Sequence, residues 1–314
     1  MKKLILSLIL LLLIPSISFA ATKWVSPTGA ATWANCGGET PLEGAAACSL
    51  ATANSNAAAG DVVNMRGGTY GVEINPSNSG TSGNVITFQK YLNEVPLFTG
   101  TGYAAIFLQA KSYIKIDGVK GSNITGRFFF IGNGSSYNEI TGSTFELASG
   151  TFSLGIITCF NTASSVCNPS NHNWIHNNTF SKYGSVDCND NGTIRISSGI
   201  LGGMTDTSSY NTIENNVFSY GGHDGFDLGG FRNVIRNNVF HNEEAYYSDP
   251  GGCTNSPTSG YFGNRNLIVT NYGANTTQYN LIEGNRLGHA GTPPDDDGAF
   301  GIENAGEYMI IRHN

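Results

Sequence analysis

The sequence predicts an all-β protein of the parallel β-helix type, a solenoid in which short strands stack on one another from coil to coil. Three observations indicate this fold: a composition rich in Asn and Gly, a repeated motif, and the alternation of apolar residues within that motif. The chain of 314 residues contains 41 Gly and 35 Asn, and only 12% of its residues are charged. Because Gly and Asn favour tight turns, many short strands are expected.

The composition also excludes several classes of protein. Coiled coils and helical bundles are rich in Ala, Glu, Lys and Leu, and this chain is not. A net charge of −7 argues against nucleic acid as a partner, because a nucleic-acid-binding protein needs a basic surface. Intrinsic disorder is excluded by the 17 Phe and 14 Tyr residues, which indicate a packed core.

Residues 1–20 have the pattern of a signal peptide. Two lysines precede an apolar segment over residues 4–14, and Ser18 and Ala20 are small residues of the kind that a signal peptidase recognises. The apolar segment is shorter than the ~20 residues that span a bilayer. We therefore expect cleavage after Ala20 and a secreted or periplasmic protein with no membrane contact, whose net charge changes from −7 to −9.

The six Cys residues are expected to form disulfides, because an exported chain meets an oxidising environment. Two pairs each bracket a short loop and two residues remain: Cys36 with Cys48, Cys159 with Cys167, and then Cys188 and Cys253. Six Cys allow fifteen pairings, and the sequence does not choose among them. A zinc site is not expected, because no pair has the C-x₂-C spacing.

An eight-residue motif, N-x-I-x-N-N-x-F, repeats along the chain. It is present in full or in looser form at six places: residues 173–180, 211–218 and 233–240 in full, and 138–145, 280–287 and 309–314 more loosely. Successive Phe positions are separated by 35, 38 and 22 residues. A nearly constant motif with insertions of variable length indicates stacked coils of about 22 residues, each with three short strands and with loops on one face.

Apolar and polar residues alternate within the motif, as they do in strands. In the first full copy, Ile175 and Phe180 are expected to stack inside the solenoid on their counterparts, and His176 to point outward. The Asn residues are expected to turn the chain and to form amide ladders between coils. Histidines in or near these turns are expected to be exposed: His172, His176, His241, His289 and His313.

The chain divides into three expected regions: the signal peptide over residues 1–20, an N-terminal cap over 21–60, and the β-helix over 61–314. The Ala-rich residues 45–59 predict a short helix that covers the strand edges at the start of the solenoid. The sequence ends inside a copy of the motif. We therefore expect further coils or a partner chain against the last strand edge.

The order of the N-terminal segments resembles the entry to a right-handed parallel β-helix of the pectate lyase-like superfamily. These segments are KWVSPTGA at residues 23–30, the Ala-rich helix, GDVVNMRGGTY at 60–70 and SGTSGNVITFQKY at 79–91. The later motif copies are similar to the coil repeats of that superfamily, so the resemblance covers nearly the whole mature chain. It implies the right-handed fold but not one activity, because the superfamily includes lyases, hydrolases, epimerases and proteins without known activity.

Residues 219–230 (SYGGHDGFDLGG) resemble the calcium-binding segment of family nine pectate lyases, in which two adjacent Asp precede Gly-Phe-Asp. Asp224 and Asp227 match the second and third of those acids, and His223 stands in place of the first. The resemblance implies a calcium ion that bridges these residues to a uronate carboxylate. The alternative is that both acids only bond to turn amides. Because residues three apart on a strand face opposite ways, a shared site requires Asp224 in a turn and Asp227 on the strand.

In family nine the base that removes the substrate proton is a Lys one or two coils further on. This sequence has no Lys after Lys182. The candidate catalytic residues are therefore Arg265, on the next coil, and Lys182, one coil earlier. Related lyase families use Arg as the base, although Arg is ordinarily protonated and often serves in a surface ion pair instead.

A second set of candidates follows from an alignment of short segments. Asp224, Ser259 and Asp297 each precede Gly and an apolar residue. If they align on successive coils, Asp224 and Asp297 lie about 10 Å apart, close to the spacing of acids in inverting glycoside hydrolases. The predicted substrate-binding residues are Tyr246, Tyr247, Tyr261 and Asp297. The alternative for the Tyr residues is that they pack a long loop against the solenoid.

Three functional hypotheses follow. The first is a calcium-assisted lyase that cleaves an acidic polysaccharide by β-elimination. The second is a non-catalytic secreted solenoid that binds glycans or mediates adhesion, and the third is an inverting glycoside hydrolase or an epimerase. A mature charge of −9 opposes the binding of a polyanion, so the lyase hypothesis requires a cation at the site.

Overall fold

A computed structural model of the chain describes residues 21–100, 102–148, 155–161, 164–183, 194–196, 200–201, 204–219, 224–241, 266–270, 277–288 and 300–314. Three long parallel sheets of ten, eight and seven strands run along the solenoid, and most coils contribute one short strand to each sheet in turn. Parallel pairing with one strand per coil is the arrangement of a right-handed parallel β-helix, as the sequence predicts.

The strands of each sheet follow chain order along the solenoid axis. The ten-stranded sheet contains Thr22–Val25, Val62–Met65, Ile86–Lys90, Ile114–Asp117, Glu139–Thr141, Trp174–His176, Thr212–Glu214, Val234–Arg236, Leu281–Glu283 and Ile310–Arg312. The eight-stranded sheet contains Gly68–Tyr70, Pro96–Phe98, Lys120–Ile124, Thr144–Ala148, Thr179–Tyr183, Val217–Ser219, Val239–His241 and Arg286–Leu287. The seven-stranded sheet contains Ala104–Gln109, Arg127–Gly132, Gly155–Ile157, Ile194–Ile196, Asp224–Leu228, Asn266–Thr270 and Phe300–Asn304.

Three two-stranded sheets complete the secondary structure of the described residues. Two are antiparallel hairpins, and one is a parallel pair between neighbouring coils. They join Phe160–Asn161 with Ser164–Cys167, Ile200–Leu201 with Met204–Thr205, and Gly230–Phe231 with Thr277–Gln278.

The predicted stacking of like residues is confirmed. The Ile position of the motif forms one column in the ten-stranded sheet, and its members Ile140, Ile175, Ile213, Ile235 and Ile282 are buried in the core. The Phe position forms a column in the eight-stranded sheet: Phe145, Phe180, Phe218 and Phe240, with successive ring centroids 5.3, 5.2 and 4.7 Å apart. The interior is therefore filled by ordered apolar columns.

The three Asn positions of the motif have two distinct roles. The first and the last form amide ladders between coils; for example, Asn173 Nδ2 donates to Asn211 Oδ1 at 3.0 Å and Asn178 Nδ2 to Asn216 Oδ1 at 3.1 Å. The middle position turns the backbone, and Asn177 there has a φ of 55°. Both predicted roles are thus confirmed, at different positions.

The N-terminal cap contains the predicted helix, which spans Leu50–Asn56 after a 3-10 turn over Gly44–Ala46. Ser49 caps the helix, because its hydroxyl accepts a hydrogen bond from the Thr52 amide at 3.1 Å. Leu50 is buried and belongs to the main core. The strand Thr22–Val25 already pairs with the next strand of the ten-stranded sheet, so this sheet begins within the segment predicted as the cap.

Two disulfides join the pairs that bracket short loops. The Cα atoms of Cys36 and Cys48 are 5.4 Å apart, and those of Cys159 and Cys167 are 4.7 Å apart. Cys188 and Cys253 lie outside the described residues. The structure describes no helix that combines the length and the apolar character needed to cross a bilayer.

Candidate functional site

The outer face of the seven-stranded sheet carries a row of side chains that is apolar at one end and charged at the other. Its residues are register partners on successive strands, and each lies between residues that face the core. For example, Arg195 is flanked by the buried Ile194 and Ile196. The row contains Phe107, Phe130, Ile156, Arg195 and Asp227.

Arg195 and Asp227 form an ion pair across two adjacent coils. They are register partners, and Arg195 Nη2 contacts Asp227 Oδ2. The Asp227 side chain is 4% exposed and that of Arg195 is 21% exposed. Within the described part of the chain, Arg195 Nε is buried and has no hydrogen-bond acceptor. The pair therefore presents a partly exposed guanidinium that a buried carboxylate orients, and its unpaired Nε faces away from solvent.

Arg195 is not among the site residues predicted from the sequence. The predicted bases are Arg265 and Lys182, whereas Arg195 lies on the strand that precedes the strand of Asp227 in this sheet. The signal was present in the alternation at residues 194–196 (IRI), where a cation stands between two apolar residues of a strand. Only the register between strands shows that this residue faces Asp227.

An aromatic cluster adjoins the charged pair on the same outer face. The rings of Phe107 and Phe130 are stacked with centroids 5.3 Å apart, and Tyr103 lies edge-on to both. Arg127 Cζ lies 4.5 Å from the centroid of the Tyr103 ring, and burial lowers the pKa of the Arg127 guanidinium. Aromatic rings beside cations suit the binding of a sugar polymer.

The structure does not place Asp224 in a turn, as the expected site shared with Asp227 requires, because Asp224 begins the strand Asp224–Leu228. Upstream in this sheet, Ala104 and Phe107 are also three residues apart, and both belong to one outer cluster while Ala105 and Ile106 between them belong to the main core. A site shared by the two acids stays a prediction.

The expected column of Asp224, Ser259 and Asp297 is also wrong. The register partners of Asp224 on the next two strands are Asn266 and Phe300, which follow Ser259 by seven residues and Asp297 by three. The loops between coils differ in length, so a short match to Gly and an apolar residue does not fix the register. This removes the spacing argument for an inverting hydrolase.

The other predicted site residues are largely beyond the described structure. Lys182 lies in the strand Thr179–Tyr183 of the eight-stranded sheet, whereas Asp227 is in the seven-stranded sheet. Outside the described residues lie His223, Arg265, Tyr246, Tyr247, Tyr261 and Asp297. Their roles stay predictions.

Of the residues implied to hold calcium, Asp227 is the one whose side chain the structure describes, and its surroundings do not favour the ion. Calcium takes six to eight oxygen ligands, and neighbouring carboxylates usually supply several of them. The carboxylate of Asp227 instead contacts the guanidinium of Arg195, whose positive charge opposes a cation at that place. The described part of the chain contains no group of three or more His, Cys, Asp or Glu residues with the geometry of a metal site.

The outward residues of the motif form a second charged row, on the ten-stranded sheet. Its acids and bases pair along the sheet: Lys115 Nζ with Glu139 at 2.8 Å, Arg236 with Glu214, and Arg312 Nη2 with Glu283 at 2.7 Å.

The prediction that His176 is exposed is wrong, because its side chain is only 9% exposed and its ring is stacked against that of Trp174. The sequence gives the outward position but not the neighbour that covers it.

The fold is that of several solved polysaccharide lyases. An alginate lyase from Paenibacillus sp. str. FPU-7 is 16% identical, with 83% of this chain and 96% of that chain covered and a TM-score of 0.50. A rhamnogalacturonan lyase is 19% identical, with coverage of 85% and 69% and a TM-score of 0.55. The pectate lyase Pel9A is 15% identical, with coverage of 94% and 78% and a TM-score of 0.57.

Neither a protein-family model nor a curated protein matches the sequence. At identities this low, similarity between structures establishes the fold and not the activity. The chain therefore has a right-handed parallel β-helix fold, which it shares with these solved structures.

Proposed function

We propose that this protein acts on an acidic polysaccharide, as a lyase that works by β-elimination, on the outer face of the seven-stranded sheet. The observation that carries the proposal is the ion pair of Arg195 and Asp227, which holds a guanidinium on that face. The shared fold with an alginate lyase, a rhamnogalacturonan lyase and a pectate lyase supports it. We also propose export from the cytoplasm, which the sequence of residues 1–20 supports.

In β-elimination a base removes the proton on C5 of a uronate residue, next to its carboxylate. The electron pair of that bond forms a C4=C5 double bond, the C4–O bond breaks, and the leaving oxygen takes up a proton. Negative charge spreads into the carboxylate as the proton leaves, so a fixed cation against the carboxylate lowers the barrier. We assign this role to Arg195, whose planar guanidinium matches a carboxylate in shape and charge.

Arg265 is the candidate base in this proposal. It directly precedes Asn266 in sequence, and Asn266 is the register partner of Asp224 on the next coil. Lys182 is the weaker candidate, because its strand belongs to another sheet. Calcium held by Asp224, Asp227 and His223 was implied by resemblance, but no step is assigned to it, since Arg195 supplies the positive charge at Asp227.

The test is the release of unsaturated sugar ends, followed by their ultraviolet absorbance, from polygalacturonate, alginate and glycosaminoglycans. We expect product from at least one substrate with the wild-type chain, and at least about a hundredfold less with Arg195→Ala. Arg236→Ala is the matched control, because Arg236 also pairs with an acid across two coils but lies on the ten-stranded sheet. It should retain the wild-type rate.

Two results would contradict the proposal. Equal rates for wild type and Arg195→Ala would show that Arg195 has no role in the reaction. A folded protein that binds these polymers but yields no product would support the non-catalytic glycan-binding alternative.

A further inference from the structure

Trp174 is a large apolar side chain that stays exposed on the outer face of the ten-stranded sheet. Its side chain is 41% exposed, whereas the neighbouring Ile175 is fully buried in the core. His176, two residues further on the same face, is only 7% exposed. The two rings are stacked with centroids 3.6 Å apart and planes inclined by 21°, so one face of the indole lies against the imidazole. Among the described residues, no second ring stacks on the other face.

Two contacts order the indole: a hydrogen bond from its Nε1 to Glu214, and the stacked ring of His176. Trp174 Nε1 donates a hydrogen bond to Glu214 Oε1 at 2.7 Å, and Glu214 is itself fixed by its ion pair with Arg236. Beneath the indole, His176 Nε2 lies 3.0 Å from Glu139 Oε1. A side chain that is already ordered loses little conformational entropy when a ligand binds to it.

The exposed ring of Tyr137 differs from that of Trp174 in one respect. Tyr137 is 48% exposed, but its two faces are covered by Tyr113 and His172, with centroids 4.9 and 4.8 Å away. Only the edge of Tyr137 meets solvent, whereas Trp174 offers a ring face. The two residues have similar exposed fractions, but Tyr137 has a neighbouring ring on both faces and Trp174 has one on a single face.

We propose that Trp174 is a stacking platform for a pyranose ring of a glycan, at a site separate from the Arg195 face. The negative face of an indole attracts the positively polarised C–H groups on the flat side of a sugar. The register neighbours of Trp174 are Glu139 and Thr212, which place polar groups at its rim for the sugar hydroxyls. The charges on this sheet pair with one another, so the site suits a hydroxylated ring rather than a strongly charged one.

The proposal is tested by electrophoresis of the folded protein through native gels that contain a soluble polysaccharide. The probes are galactomannan, hydroxyethyl cellulose and polygalacturonate, and the retardation gives a dissociation constant for each. We expect retardation by at least one neutral polymer and about tenfold weaker binding for Trp174→Ala. Tyr137→Ala is the matched control, because it removes an equally exposed ring whose faces are already covered, and it should bind as wild type does.

Trp174→Tyr keeps a smaller platform and should give intermediate affinity, which separates loss of the ring from loss of the fold. No retardation in any gel, or equal retardation of wild type and Trp174→Ala, would overturn the proposal. Sedimentation that reveals self-association abolished by Trp174→Ala would overturn it too, because the exposed face would then bind a second copy of the chain. None of these measurements depends on lyase activity.

Discussion

Asn216 and Asn238 are joined by two hydrogen bonds to one oxygen atom. The backbone amide of Asn216 donates to Asn238 Oδ1 at 3.0 Å, and Asn216 Nδ2 donates to the same oxygen at 3.1 Å. Asn216 Nδ2 also donates to the backbone oxygen of Ile175 at 2.9 Å, and both Asn residues are fully buried. Each Asn side chain of the ladder thus satisfies two backbone groups of the preceding coil, as Asn216 does for the Asn178 amide and the Ile175 carbonyl.

Asn216→Ala is therefore expected to be strongly destabilising. It removes the acceptor of the Asn178 amide and a donor to the Ile175 carbonyl, in a place where water cannot replace them. An unsatisfied buried polar group costs about 1–3 kcal/mol, so we expect a loss of roughly 3 kcal/mol in the free energy of unfolding. Urea denaturation followed by circular dichroism measures it.

The adjacent Asn215 provides the control. It is exposed and has a φ of 55°, so its role is to allow the left-handed turn. Asn215→Gly should change the free energy of unfolding by less than about 1 kcal/mol, because Gly adopts this conformation without strain. Equal losses at the two positions would mean that the ladder contributes no more than the turn.

A second prediction concerns the stability of the Arg195–Asp227 pair. Arg195→Ala leaves the buried carboxylate of Asp227 without its guanidinium, which should cost about 3 kcal/mol of unfolding free energy. In the double variant Arg195→Ala with Asp227→Ala no charge is left uncompensated, so its loss should be smaller than the sum of the single losses. Additive losses in a thermodynamic cycle would contradict direct coupling between the two side chains.

Calcium removal gives a third prediction. Because Arg195 supplies the cation beside Asp227, a chelator should leave both the melting temperature and the yield of unsaturated product unchanged. A bound ion stabilises the folded state in proportion to its occupancy, so calcium titration with scanning calorimetry is a direct measure. A calcium-dependent rise in melting temperature that Asp227→Ala abolishes would contradict this prediction and support a calcium site at Asp227.

The columns of the solenoid follow from the sequence because repetition carries their information. Ile175 and Phe180 recur with their neighbours in every full copy of the motif, and stacking like on like is the arrangement that buries each of them. The two Asn ladders are encoded in the same way. These features need no knowledge of how long the intervening loops are.

The candidate site lacks that redundancy. Arg195 lies in a strand of three residues that is not part of the repeated motif, and its pairing with Asp227 depends on the length of the whole coil between their strands. Likewise, the pairing of Asp224 with Asn266 rather than Ser259 is set by where the next strand begins. The cover of His176 by Trp174 depends on rotamers, which a sequence pattern does not specify.

The last prediction concerns acid stability at the N-terminal end of the solenoid. Glu94 accepts two hydrogen bonds from Arg66 Nε, at 2.9 and 3.0 Å, and one from the Gly67 amide at 2.6 Å. The hydrogen bond from Arg66 holds the pKa of Glu94 below its ordinary value of 4.5. A carboxylate with a lowered folded-state pKa stabilises the fold above the unfolded pKa, and this stability is lost as the pH falls through the folded value.

Glu94→Gln should therefore be less stable than wild type near neutral pH and should lose less further stability between about pH 5 and about pH 3. Thermal melts across this range measure the difference. Glu43→Gln is the control, because Glu43 is 79% exposed and meets the same Arg66 by one contact of 3.2 Å, which solvent screens. Its melting temperatures should follow the wild-type pH dependence. Parallel curves for Glu94→Gln and wild type would contradict the assignment of acid sensitivity to this carboxylate.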